Sequence, residues 1–138
     1  MGTNYYTVKK SLTMPNLIQE EGCTDVLHIG KSSFGWCFML RIHPEIGIVD
    51  LGSWSSWLVD GSRVILDEYY NKISFMYLYE IITDRRKILH PEFDERSSKW
   101  YSQNFAQPGP NGLVRNALGN GCVGHGDGTY DLFVGDFS

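Results

Sequence analysis

The chain has 138 residues, of which 42% are hydrophobic, and a formal net charge of −4. That length and composition predict one compact domain over residues 1–138 with an apolar core, and exclude a disordered chain. No apolar run approaches the roughly 18 residues that span a bilayer, and an acidic chain lacks the basic face that grips duplex nucleic acid.

In chain order, residues 3–8 read as a strand and 9–24 as a loop containing Pro15 and Gly22. A short strand is expected over 25–29, a turn at 31–33, and a second strand over 34–42. That strand carries Trp36, Phe38 and Leu40 on one face and Cys37, Met39 and Arg41 on the other, an apolar mixture that suits a central position. His43-Pro44 ends it. Ser53 is a candidate N-cap for a short helix over 54–59, which Asp60-Gly61 closes.

Residues 63–67 read as a strand and 69–72 as a turn. Ser74 then caps a second helix over 75–85, with Phe75, Leu78, Tyr79 and Ile82 as its apolar stripe. Met76, Tyr77 and Ile81 widen the arc beyond what one sheet contact buries. Tyr77 and Ile81 are therefore expected under the later chain or at the interface of a homo-oligomer. Arg85-Arg86-Lys87, the only basic cluster, falls where a helix C-terminus favours cations. Residues 86–128 show no period and read as a long irregular segment. Residues 129–134 close the chain as a strand. The expected fold class is α+β: an antiparallel sheet with two short helices on one face.

Three cysteines, Cys23, Cys37 and Cys122, are too few and too uneven for a disulfide framework and suit a reducing cytosol. The first residues show no charged-then-apolar-then-small pattern of a signal peptide and are expected to belong to the fold.

Gly30-Lys31-Ser32 has the closing letters of a phosphate loop. Asp25 stands where the first glycine belongs, and a strand follows instead of a helix. What survives is a turn able to hold an anion through Lys31, Ser32 and Ser33, with His28 before it and Trp36 after it to stack a base; the alternative is a plain polar turn. Residues 119–124 match the dinucleotide fingerprint by letter and fail it by context, since no helix follows and no acid lies about 20 residues on. The glycines through 128 nevertheless let backbone amides approach a ligand, with His125 and Asp127 beside them.

His28, Lys31 and the loop bearing His125 and Asp127 are thus expected to line one pocket. Cys23, His28, Cys122 and His125 have no recognised zinc spacing, so neither a metal nor any other cofactor is expected. No Gly-x-Ser-x-Gly elbow or paired-carboxylate site is present, and Cys37 with His125 has no local support, so no catalytic residue is assigned.

The opening Met1-Gly2-Thr3-Asn4-Tyr5-Tyr6, the segment 28–38, the helix around Trp54 and Trp57, the run 65–69, Ile73-Ser74-Phe75 and the closing Gly135-Asp136-Phe137-Ser138 resemble a group of small accessory proteins carried by tailed bacteriophages. Relatives carry a Cys-x-x-Cys before the His-Ile-Gly-Lys segment; here that pair is missing. The resemblance implies an accessory protein acting in the host cytoplasm and says nothing of chemistry. Together with the residues above it leads to two expectations: sequestration of a small anionic, nucleotide-like ligand in counter-defence, or inhibition of a host protein through an exposed aromatic surface. An enzyme is the weaker expectation.

Overall fold

The computed structural model describes residues 2–13, 15–20, 22–84 and 98–137. It is an α+β fold built on a seven-stranded sheet. The strands of this sheet are β1 (Gly2–Lys9), β2 (Val26–Ser33), β3 (Phe38–Arg41), β4 (Arg63–Asp67), β5 (Lys72–Ile73), β8 (Cys122–His125) and β9 (Tyr130–Phe133). They lie in the order β5-β4-β1-β2-β3-β9-β8. All pairs are antiparallel except β3 with β9. Strands β6 (Ala106–Pro108) and β7 (Val114–Asn116) form a separate two-stranded ribbon.

Helices α1 (Leu51–Leu58) and α2 (Phe75–Thr83) cover one face of the sheet. Their Leu51, Trp54, Leu58, Leu78 and Ile82 meet Leu27, Phe38, Leu40, Ile65 and Tyr130 in one buried core. Alternation of side chains along each strand sends the intervening residues to the opposite face. There the ribbon packs against β9, and Phe137 lies against His28 and Phe133.

The first helix starts earlier than its spacing predicts. Asp50 is the N-cap: its carboxylate accepts from the Ser53 amide at 2.7 Å, and Ser53 Oγ accepts from the Asp50 amide at 3.0 Å. Ser53 is therefore the third residue of a reciprocal cap and not the cap itself. Trp54 is fully buried and donates its indole N–H to the Arg41 carbonyl at 2.6 Å. Ser74 caps α2 as expected, its hydroxyl accepting from the Tyr77 amide. Leu78 and Ile82 are buried and Ile81 packs on the core, whereas Met76 and Tyr77 are 66% and 58% exposed.

Lys31 to Ser33 are not a turn. They continue β2 because Gly2 to Asn4 of β1 go on pairing with them. The reversal falls two residues later, where Gly35 takes φ 82°, a conformation costly for any residue with a Cβ. β3 is correspondingly shorter than expected, and it is central, between β2 and β9. The stretch 86–128 is not irregular throughout: it contains α3 (Ser98–Gln103), β6, β7 and β8. Arg85-Arg86-Lys87 lie outside the described residues. No helix among the described residues is long and apolar enough to cross a membrane.

Candidate functional site

Two β-bulges decide which polar side chains share the face away from α1 and α2. In β2 the pairing with β1 slips between Tyr5 and Tyr6, so Tyr6 faces His28 while Asn4 faces Lys31. His28 and Lys31, three apart, thus come to one face, where a regular strand would oppose them. In β8 the register slips between Cys122 and Gly124, which brings Cys122 and His125 to one face in the same way.

Lys31, Met39, Asp131 and His125 then stand in one row across β2, β3, β9 and β8. At its β2 end lies a cavity of about 510 Å³ lined by Ser33, Phe34, Trp36, Met39 and Asn116. Trp36 also packs on the buried cluster of Ala106 and Val114, as does Tyr101, which anchors that wall. Lys31 is not among the lining residues and leans toward β1. Its Cε and the Ser33 hydroxyl both lie 2.8 Å from the point where a side chain on Gly2 would begin. The glycine is what lets ammonium stem and hydroxyl converge over the strand.

At the other end Asp131 is fully buried and held by three partners. Its Oδ1 meets His125 Nδ1 at 2.6 Å and Arg115 Nε at 3.0 Å, and its Oδ2 accepts from the Asn116 amide at 3.0 Å. A carboxylate only accepts, so Nδ1 carries the proton. His125 Nε2 faces the Gln107 amide at 2.8 Å. Cys122 Sγ is also near, and burial pushes its thiol up. A buried thiol beside a histidine whose outer nitrogen is turned to Gln107 lacks the exposure and thiolate character of a nucleophile. Asn116 joins the two ends, since its amide binds Asp131 while the residue lines the cavity.

The single pocket expected from His28, Lys31 and the 119–128 loop does not form. His28 is 3% exposed, its Nε2 on Asn4 Oδ1 at 2.9 Å and its ring between Tyr6 and Phe137. Burial, with a smaller contribution from Arg41, pushes its pKa down to about 3. It is a neutral core histidine. Ser32 alternates away from Lys31 and Ser33. Asp127 is exposed in the β8–β9 turn, and His125 stands three strand spacings from Lys31, about 14 Å between backbones. Ser33 and Trp36 do line one cavity, and Lys31 lies next to Ser33 outside that lining. Phe34, Met39 and Asn116 were not legible as cavity residues, and neither was Asp131 as the centre of the polar cluster. Of the four residues considered for zinc, Cys122 and His125 meet and His28 is elsewhere. Cys23 lines a different cavity of about 360 Å³ with Gln19, Arg41 and Asp136.

Comparison with protein-family models, curated proteins and solved structures finds no match to the chain.

Proposed function

We propose that the protein is a non-enzymatic binder of a small anionic, nucleotide-like ligand, seated in the cavity between the β2–β3 turn and β7. The observation that carries this reading is a cavity lined by Ser33, Phe34 and Trp36, with the stem of Lys31 next to Ser33 at Gly2 just outside it. A flat ring stacks on aromatic faces while an ammonium and a hydroxyl take an anionic group, and concave sites of this size suit small ligands. In the cytoplasm of an infected host, the setting that resemblance to phage accessory proteins implies, such binding withdraws a nucleotide signal from its receptor.

The test is calorimetry of the purified chain with a panel of nucleoside mono-, di- and triphosphates, together with mass spectrometry of small molecules released on denaturation. Binding weakened at least tenfold by Lys31→Glu and by Trp36→Phe is the expected result. A chain that releases nothing and gives no heat with any nucleoside phosphate overturns the reading.

One observation favours the second reading, inhibition of a host protein. Met76, Tyr77 and Tyr79 of α2 and Tyr69 before it are all exposed, and exposed aromatics of this kind anchor protein interfaces.

A further inference from the structure

We propose that Cys122, His125 and Asp131 form a binding site for a divalent transition metal of the zinc type. The thiol sulfur, a ring nitrogen and a carboxylate oxygen all lie within 4.8 Å of one another. One ion can draw such a set to bonds of about 2.0–2.3 Å with small side-chain rotations. One sulfur, one nitrogen and one oxygen select a borderline metal over calcium or magnesium, which take oxygen alone. A thiolate and a carboxylate together match the charge of a divalent ion.

The surroundings are those of a metal site. The bulge in β8 serves to put Cys122 and His125 on one face. The ring nitrogen of His125 turned away from Asp131 meets an amide at 2.8 Å, the kind of outer partner that fixes a ligating imidazole. An amide can turn over, so Gln107 serves that nitrogen whether it accepts or donates. The free carboxylate oxygen of Asp131 is already held by the Asn116 amide. Cys122 and Asp131 are buried and His125 is partly exposed, so the side open to solvent, from which a fourth ligand would come, lies at His125.

Arg115 is the feature that opposes an incoming cation, 3.0 Å from the same oxygen. Yet its Nε makes no hydrogen bond among the described residues, so the ion displaces a close ion pair that no hydrogen bond reinforces. Binding releases one proton to solvent, from the thiol, while the single ring proton of His125 passes from Nδ1 to Nε2, where the side-chain oxygen of Gln107 can accept it, and no electron is transferred. The site stands independently of the cavity, and either can fail without the other.

The experiment titrates the full chain with Co²⁺ and follows its absorption, then competes with Zn²⁺. One equivalent should bring a cobalt–thiolate charge-transfer band and the intense visible bands of a tetrahedral ion. Both should be lost in Cys122→Ser and His125→Gln and kept in Cys23→Ser. X-ray absorption of the zinc-loaded wild type needs no variant to fold, and should find one sulfur among the ligands. No thiolate band at stoichiometric cobalt, a band that survives Cys122→Ser, or a zinc shell without sulfur overturns the proposal.

Discussion

The ring of Phe38 occupies the space that a side chain on Gly30 would need. A Cβ at Gly30 would lie 2.6 Å from the ring's Cε1 and against the Met39 carbonyl oxygen. Gly30 pairs with Tyr5 on one side and Leu40 on the other, so the glycine sits in mid-sheet, where its missing side chain is replaced by a neighbour's ring. Phe38 itself is fully buried and 6.0 Å from Tyr5, centroid to centroid.

Gly30→Ala is therefore expected to destabilise the fold by about 1–3 kcal/mol, the usual cost of overpacking a filled core. Urea unfolding followed by tryptophan fluorescence measures this. A midpoint equal to that of wild type would mean that Phe38 moves aside at no cost.

What the chain disclosed in advance follows from what each signal measures. Ser74 before an apolar stripe reports a local event, and α2 begins where it should. Phe38 and Leu40 against Met39 and Arg41 report alternation, and β3 is central as that mixture implies. The reach of β2 through Lys31 to Ser33 depends on how far β1 continues beside it, a property of pairing that no local pattern carries. The strands β6 and β7, of three residues each, are too short to show a period. The two bulges matter most: whether His28 joins Lys31, or Cys122 joins His125, is set by a one-residue slip in register, which reverses every face assignment made from spacing alone. Asp131 stayed hidden for the same reason, since its partners come from β7 and β8.

Asp50 and Ser53 form the reciprocal cap of α1 without help from other elements. Asp50→Ala should cost about 1 kcal/mol, typical for a lost N-cap, and Ser53→Ala a similar or smaller amount. Because the two share one interaction, the double variant should fall short of the sum. Thermal melts of the three variants test this, and strict additivity would argue against a reciprocal cap.

Tyr77 and Met76 leave a wide apolar surface on α2 open to solvent. A two-fold contact through this helix would cover it, so a homodimer is the expected form in solution. Ile81 packs on the core, so a charge there would test folding instead of assembly. Met76→Glu and Tyr77→Glu are the informative changes. Light scattering across a concentration series should give about twice 15.7 kDa for wild type and the monomer mass for either variant. The monomer mass for wild type at every concentration would leave α2 to another partner.

His28 and His43 make acidification costly well above the range where carboxylates titrate. Burial holds both below the ordinary imidazole value of 6.5, His28 at about 3. The ring nitrogens of His43 are both engaged, since Nε2 donates to the His28 carbonyl at 2.9 Å and the amide of Gln19 meets Nδ1. Below pH 6.5 the unfolded chain takes up protons that the folded chain refuses. Unfolding is thereby favoured as pH falls, by up to about 1.4 kcal/mol per pH unit for each such histidine. Asp25, Asp50, Asp60 and Asp67 have values lowered from 3.8, so they contribute only at lower pH. Melting temperature should therefore drop steadily between pH 6.5 and 4.5, and His28→Gln should flatten the slope even if it lowers stability at neutral pH. Stability that is constant or rises over that interval would show that these histidines accept protons in the folded chain despite their burial among Asn4, Tyr6, Trp54 and Phe137, with Glu45, 3.8 Å from His43 Nδ1, as the carboxylate that favours it at that ring.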